Sequence, residues 1–248
     1  MALYRSARQP QARPTVTFAF RRRISATRLP WEIFAAAALA LLAPLQVEAQ
    51  LTYDPREIYM LPVYCKYTQS FRDVVPGGNN RAEIDRWTAS MGETFIHMHH
   101  YCLGLKASNR AAFFSNTEQD RKHNLGVSIN EFDYVIQRAP PNFSFLPEIL
   151  TKKAESLIRL DRAGEGMVEL KEAIRIKADY PLAYATISDY YKEIGELAKA
   201  REWLKKGLSV APNTKVLRQR LAALDSLNDK EKTSSEPATK PSAAPRPE

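Results

Sequence analysis

Apolar and small residues in the second half of the chain follow a helical spacing that repeats after 34 residues. The segments 147–180 and 181–214 align without a gap. Positions 4, 8, 11, 20, 24, 27 and 28 hold Leu150, Ala154, Leu157, Gly166, Leu170, Ala173 and Ile174 in the first and Tyr184, Ser188, Tyr191, Ala200, Leu204, Gly207 and Leu208 in the second. Residues three or four apart share one face of an α-helix. Each segment therefore predicts two amphipathic helices, and Gly195 marks the turn between them in the second segment.

This spacing resembles the signature of the tetratricopeptide repeat family. Segment 181–214 matches the signature closely, whereas segment 147–180 departs from it at Gly166 and Ala178, where the family usually has alanine and proline. The resemblance implies right-handed stacking of helical hairpins into a short, curved α-solenoid. The predicted fold is therefore all-α, and the alternative is a helical bundle whose spacing agrees by chance.

A longer and less regular hairpin is predicted upstream, over residues 95–139. Its first helix carries an apolar stripe made by Phe95, Met98, Cys102 and Leu105, and its second helix carries one made by Leu125, Ile129, Phe132 and Ile136. A capping-box pattern at 115–118 would open the second helix, and Pro140 would prevent it from continuing. Gly104 falls at the small position 8 of the repeat, so we interpret this hairpin as a degenerate, elongated copy.

The segments on either side carry weaker patterns. A single helix over 215–228 is predicted to cap the solenoid with a polar outer face, and its apolar stripe consists of Val216, Leu217, Leu221 and Leu224. Residues 229–248 hold four prolines and no aromatic residue, which predicts a disordered tail. Residues 50–94 predict a helix start at Asp54, a loop over 75–80 and a second helix start at Ala82.

An export signal is predicted over residues 1–49. A basic stretch ends at Arg28, an apolar run extends from Trp31 to Leu45, and small residues at Val47 and Ala49 precede a cleavage point. This order is typical of a secretory signal, and the apolar run is shorter than the roughly 20 residues that a membrane-crossing helix needs. We expect cleavage after Ala49, no membrane contact afterwards, and a periplasmic protein. An uncleaved anchor and an ordinary buried helix are the alternatives.

The net charge of +8 at pH 7 is concentrated in the same segment. Residues 1–49 contain seven arginines and two acidic residues, so cleavage leaves 29 basic and 26 acidic residues. A remainder of +3 is not the basic patch that nucleic-acid binding requires. The charge distribution therefore predicts no nucleic-acid partner.

Cys65 and Cys102 are the only cysteines in the chain. An even number of cysteines in an oxidising compartment favours a disulfide, which would tie residues 50–94 to the hairpin at 95–139. Two separate buried thiols are the alternative. A redox-active pair is not indicated, because no Cys-x-x-Cys motif is present.

His97, His99 and His100 form the richest group of metal-capable side chains. Successive residues of a helix are about 100° apart, so His97 and His100 could share a ligand while His99 points elsewhere. Two ligands are too few for a closed zinc or copper site. We expect these histidines to pack and form hydrogen bonds and predict no cofactor, and a periplasmic metal-handling protein that uses His97 and His100 is the alternative.

Enzyme motifs are absent from the sequence. It contains no phosphate-binding glycine loop, no Gly-x-Ser-x-Gly elbow and no His-Glu-x-x-His motif. A sugar-binding accessory protein is a further alternative, with a platform made by Tyr184, Tyr190, Tyr191 and Trp203. At their spacing, however, these aromatic residues are expected to pack within and between the repeats.

The concave face implied by the family resemblance is the remaining candidate surface. In that family the first helix of each repeat supplies the groove, and the corresponding residues here are Glu148, Thr151, Glu155, Ile158, Arg159, Leu182, Ala185, Asp189, Lys192 and Glu193. The family's clamp for acidic peptide C-termini is missing. We therefore expect a non-catalytic adaptor that binds a neutral or weakly basic segment of another envelope protein through this groove. A solvated face without a ligand is the alternative.

Overall fold

The computed structural model describes the backbone of residues 54–235 and the side chains of residues 54–227. The predicted export signal and the residues after 235 lie outside this part. The α-helices, named α1 to α9 in chain order, span Pro55–Tyr59, Arg81–Met91, Met98–Phe113, Glu118–Ile136, Leu146–Ile158, Ala163–Ile176, Pro181–Glu193, Leu197–Val210 and Lys215–Ser235, and 3-10 helices span Val63–Tyr67 and Gly92–His97. Residues 54–235 contain no strand, which confirms the all-α prediction. None of the described helices combines the length and apolarity needed to cross a bilayer.

Three helical hairpins stack in sequence order. Helices α3 and α4, α5 and α6, and α7 and α8 form the pairs, and each second helix also contacts the first helix of the next pair. Helices α3, α5, α7 and α9 contact their neighbours in that order and form one layer, and each of α4, α6 and α8 packs against the two members of this layer that flank it in sequence. This arrangement is the predicted α-solenoid, closed at its C-terminal end by α9.

Glycines at the predicted small positions lie where helices cross closely. A Cβ atom at Gly104 would lie 2.6 Å from the ring of Phe132 on the paired helix. A Cβ atom at Gly207 would lie 2.8 Å from Leu217 and 2.9 Å from the Cβ atom of Tyr184. Both separations are shorter than carbon atoms tolerate, so the absence of a side chain sets the spacing between these helices.

Replacing Gly207 by alanine should therefore lower the free energy of unfolding. Overpacking of a tight core costs about 1–3 kcal/mol, and the Tyr184 Cβ atom is too close to the backbone to move away. The matched control is Gly126→Ala, because Gly126 is helical and has no atom within 4 Å of the added carbon. That change should raise the unfolding free energy by about 0.5–1 kcal/mol. Urea unfolding measures both, and stabilisation by both substitutions would contradict the close crossing at Gly207.

The apolar core runs through the whole stack. One group of buried side chains extends from the N-terminal segment to Ile187 in α7. A second group extends from Tyr184 in α7 to Leu224 in α9. Ile174, Tyr191 and Trp203 are partly buried and pack against both groups. The two groups therefore form one continuous apolar seam.

The N-terminal segment packs against α3. Helix α1 begins after Asp54, whose carboxylate accepts a hydrogen bond of 2.9 Å from the Arg56 backbone N–H. The buried Glu57 carboxylate forms ion pairs with Arg110 and Lys106 of α3. The segment is thus fixed to the N-terminal end of the solenoid, where it covers apolar surface that would otherwise be exposed to water.

The predicted pairing of Cys65 and Cys102 agrees with the structure. The sulfur atoms lie at bonding distance, the Cα atoms are 5.6 Å apart, and both side chains are almost wholly buried. The bond joins the first 3-10 helix to α3. It therefore ties the N-terminal segment to the first hairpin, next to the ion pairs of Glu57.

Two boundaries differ from the sequence-based expectations. Helix α4 is capped by Thr117, whose hydroxyl accepts from the Asp120 N–H at 3.0 Å, while Ser115 donates to the Arg110 carbonyl instead of acting as the cap. Helix α9 continues past residue 228 to Ser235, so the predicted disordered tail begins too early. Lysine and glutamate favour helix, and no proline occurs between residue 228 and Pro237. The composition of residues 229–248 predicts disorder because of its prolines, and all of these lie at or after Pro237.

Candidate partner-binding groove

The layer formed by α3, α5, α7 and α9 presents the predicted groove residues, which lie on α5 and α7 or at their ends. The structure gives these residues three different environments: buried, paired with a neighbouring side chain, or exposed without an ion partner. The differences arise from contacts with α3 and α9, which the spacing within one repeat does not reveal.

Glu148 lies at an aromatic end of the layer. Its carboxylate accepts a hydrogen bond of 2.5 Å from the Tyr101 hydroxyl of α3. Burial raises the pKa values of Tyr64, Tyr101 and Tyr180, and the negative charge of Glu148 raises each of them further. These phenols are therefore neutral at physiological pH, and Glu148 is already engaged by a donor within the protein.

These three tyrosines are not among the predicted groove residues, and two of them, Tyr64 and Tyr101, are buried next to Glu148 and do not line an open surface. Tyr101 lies three residues before Gly104, which places it at position 5 of the degenerate hairpin. Applying the groove positions of the repeats to this upstream hairpin therefore selects Tyr101. Tyr64 comes from the irregular N-terminal segment and Tyr180 from the end of the first repeat, where the spacing of groove positions gives no signal.

Thr151 and Arg159 are both engaged within the protein and are not free surface groups. Thr151 is 1% exposed, and its hydroxyl donates to the Pro147 carbonyl at 2.8 Å. The prediction that Thr151 lines an open groove is therefore wrong. The Arg159 guanidinium donates to the carbonyl and the hydroxyl of Ser108 at 3.3 and 3.2 Å, which links α5 to α3. Burial lowers the pKa of Arg159.

Glu155 and Asp189 are neutralised by basic neighbours. Glu155 pairs with Lys152 at 2.9 Å. Asp189 accepts a two-pronged contact from Arg220 of α9, with separations of 2.9 to 3.0 Å. Arg220 was not predicted, because it comes from the capping helix. The expected slight excess of acidic groups is therefore balanced by lysine and arginine.

Lys192 and Glu193 are the predicted groove residues that keep their charges free. Both are exposed, and neither forms an ion pair with another described side chain. They occupy the last turn of α7, next to the Asp189–Arg220 pair along the same helix. This end of the layer therefore offers one cation and one anion to a partner.

The histidines do not converge on a shared point. His100 contacts Glu131 through Nδ1 at 2.6 Å, and Nδ1 of His99 lies 2.8 Å from the Ile96 carbonyl. His97 packs edge-on against Tyr134, with 5.8 Å between ring centres. Within the described residues, no group of three His, Cys, Asp or Glu side chains is placed to hold a metal ion. The geometry shows hydrogen bonding and packing at these positions.

The histidine cluster should make stability depend on pH. Burial lowers the pKa of His97, and the nearby Arg138 and His100 lower it further. Burial also lowers the pKa of His99, although its contact with the Ile96 carbonyl and the charge of Glu131 act in the opposite direction. An unfolded histidine titrates at about pH 6.5. Between that pH and the lower folded-state pKa, the unfolded state therefore binds more protons than the folded state. The contribution to stability is complete above about pH 7 and falls as the pH drops through 6.5 towards the lower folded-state pKa.

Urea unfolding at several pH values between about 7.5 and 5 tests this expectation. His97→Gln should flatten the decline in unfolding free energy, because the substituted side chain does not titrate. His123→Gln is the control, because His123 is exposed on α4 away from this cluster. Equal slopes for wild type and His97→Gln would contradict the assignment.

The aromatic residues considered as a sugar platform do not share one surface. Tyr184 is 2% exposed, and its hydroxyl donates to the Ala178 carbonyl at 2.9 Å. The Tyr184 and Trp203 rings are 6.2 Å apart and pack between α7 and α8. These two residues therefore belong to the interior packing of the last hairpin.

Comparison with known protein families gives a match to part of the chain. Residues 182–214 match the family model described as "Tetratricopeptide repeat", and this range lies within the second repeat defined from the sequence. No curated protein matches the chain significantly in sequence. The match supports the tetratricopeptide resemblance for the α7–α8 hairpin.

Two solved structures similar to this chain are tetratricopeptide proteins. "First TPR of Spaghetti (RPAP3) bound to HSP90 peptide SRMEEVD" is 15% identical, with 51% of this chain and 96% of that chain covered and a TM-score of 0.36. The Sgt2 TPR domain from Aspergillus fumigatus is 13% identical, with 59% of this chain and 90% of that chain covered and a TM-score of 0.42. The helix contacts of this chain itself, not these distant similarities, define its hairpin stack.

Proposed function

We propose that this protein is an exported, non-catalytic adaptor that binds a segment of another cell-envelope protein across the layer formed by α3, α5, α7 and α9. The observation that carries the proposal is the alignment of these four helices along one side of a tetratricopeptide-like stack. A continuous row of parallel helix faces suits one helix or one short extended peptide. The tetratricopeptide match over 182–214 supports this kind of interaction surface.

The charges of the layer limit the chemistry of the partner. Glu155 and Asp189 are already paired with basic side chains. A strongly basic segment would have to displace Lys152 and Arg220 before it gained new ion pairs. A nearly neutral segment requires no such exchange, and Lys192 and Glu193 remain free to orient it. We therefore favour a partner segment of low net charge, recognised by shape and by a few polar contacts.

A charge swap on α7 tests the proposed surface. Lys192→Glu/Glu193→Lys keeps the net charge and breaks no ion pair among the described residues. The matched control is Glu202→Lys/Lys205→Glu on α8, because these two residues are exposed and unpaired within the described part and α8 does not belong to the proposed layer. A crosslinked pulldown from an envelope extract of the source organism would first identify the partner, and a direct affinity measurement with that purified partner would follow.

The α7 swap is expected to weaken binding by at least about tenfold, the loss typical of a residue that matters at an interface. The α8 swap should leave the affinity within about twofold. Equal affinity for the wild type and the α7 swap, or equal losses for both swaps, would contradict binding across this layer. Circular dichroism of both variants checks that the fold is retained.

The proposed export has a separate test. Cleavage after Ala49 would leave a mature chain that begins at Gln50. We expect the intact mass of protein purified from the envelope fraction of a bacterial host to correspond to residues 50–248. A mass that includes residues 1–49 would contradict a cleaved signal, and recovery of that form from membranes would favour the anchor.

A further inference from the structure

A depression lined by both polar and apolar groups lies apart from the proposed partner-binding layer. It opens between the end of α2, the second 3-10 helix and the residues that follow α4, and its volume is about 600 Å³. Its lining includes His97 and Arg138 together with Glu93. None of the predicted groove residues contributes to it. The volume lies in the range of small-molecule sites, about 300–1,000 Å³.

Arg138 is held in place by an aromatic stack. Its guanidinium carbon lies 3.5 Å from the centre of the Tyr134 ring. The His100 ring is stacked 3.6 Å from the same centre. Two groups this close to one ring centre must lie on its opposite faces. Tyr134 is therefore fixed between them, and His100 is fixed in turn by its contact with Glu131.

The donors of Arg138 are mostly unused. Only its Nη1 atom forms a hydrogen bond among the described residues, to the Tyr134 carbonyl at 3.2 Å. No described carboxylate lies within ion-pair distance of it. A guanidinium carries five N–H donors in a planar fork that matches a carboxylate. An oriented and unpaired fork at the edge of a depression is suited to an anionic ligand.

The rest of the lining is compatible with an organic anion. Ser90, Asn142 and Ser144 provide hydroxyl and amide groups, while Met91, Ala139 and Phe143 provide apolar surface. Such a mixture contacts the body of a small polar molecule as well as its charge. Glu93 is the one carboxylate in the lining, and it opposes the binding of an anion.

We propose that this depression binds a small organic carboxylate, with the carboxylate on the Arg138 fork and the rest of the ligand against Asn142 and Phe143. Two sources share this chemistry: an acidic sugar and the free carboxyl end of a short peptide. The site shares no residue with the proposed partner-binding layer, so either function could exist without the other.

Isothermal titration with two pairs of probes tests the proposal and separates the sources. Glucuronate is compared with glucose, and N-acetyl-alanyl-alanine is compared with its C-terminal amide. At least one carboxylate should bind with a Kd below about 10 mM, and its neutral analogue should bind at least about tenfold more weakly. The carboxylate that binds more tightly identifies the source.

Substitutions that remove a charge at the site should change its affinity for the carboxylate. Arg138→Gln should weaken binding of the carboxylate by at least about tenfold, and Glu93→Gln should strengthen it, because a repulsive charge is removed. Arg218→Gln is the matched control, since Arg218 is also exposed, donates to one backbone carbonyl and has no carboxylate partner in the described part. It should leave the affinity unchanged.

Three results would overturn the site. These are no saturable binding of either carboxylate below about 10 mM, equal affinity for a carboxylate and its neutral analogue, or unchanged binding in a folded Arg138→Gln variant. Thermal unfolding of each variant establishes that it is folded. If Arg138→Gln does not fold, an unchanged affinity in Glu93→Gln overturns the site instead.

Discussion

Phe132→Ala is expected to lower the free energy of unfolding by about 3–5 kcal/mol. The Phe132 ring is 0% exposed and lies directly over Gly104 of the paired helix. It also packs against the Tyr101 ring, with 5.6 Å between ring centres. Gly104 has no side chain that could fill the space left by the ring, so the cavity would persist. Urea unfolding of the purified variant measures the loss.

The control for this prediction is Phe113→Ala. Phe113 lies at the end of α3 and is 71% exposed, so its truncation removes little buried surface. Exposed substitutions usually change stability by no more than about 0.5 kcal/mol. Similar losses for the two variants would show that Phe132 does not sit in the contact between α3 and α4.

Removal of the disulfide should produce the second large effect. The 37-residue separation between Cys65 and Cys102 corresponds to about 3–4 kcal/mol in the loop-entropy model. We expect Cys65→Ala/Cys102→Ala to lose about this much unfolding free energy. The loss should first loosen the N-terminal segment, which is then held only by noncovalent contacts: the Glu57 ion pairs and buried side chains such as Tyr64 and Phe71.

Two measurements check the role of the disulfide. Limited proteolysis should cut the double variant between residues 54 and 97 before it cuts the hairpins, and thiol titration of unfolded, oxidised wild type should find no free sulfhydryl. Reduction of the wild type provides the control, since it should reproduce the destabilisation of the variant. Unfolding midpoints that are the same with and without the bond would contradict this account.

The helical hairpins could be predicted because they depend on the spacing of apolar residues within each helix. Residues such as Leu170 and Leu204 occupy equivalent positions of the two repeats, and both are 0% exposed in the structure. Periodicity reports which face of a helix is apolar, and that face must be buried. The same reasoning located α9, but it misplaced the end of that helix, where no apolar residue marks a boundary.

Which groove residues are paired with other side chains could not be predicted in the same way. Asp189 is paired because Arg220 of the capping helix lies beside it. Arg159 is held because Ser108 of the preceding hairpin accepts its hydrogen bond. Such contacts depend on how neighbouring repeats are rotated against one another, which spacing within a repeat does not specify. The Arg138 depression depends likewise on two segments that are distant in sequence, 90–97 and 138–144.

The stacking of consecutive hairpins is tested most directly by nuclear Overhauser effects at Gly207. This glycine of α8 lies between Leu217 of α9 and Tyr184 of α7. The structure predicts cross-peaks from the Gly207 α protons both to a Leu217 methyl group and to the Tyr184 β protons. If all three residues are assigned and the Gly207 α protons show neither cross-peak, the helices do not stack in sequence order, and the continuous binding layer does not exist.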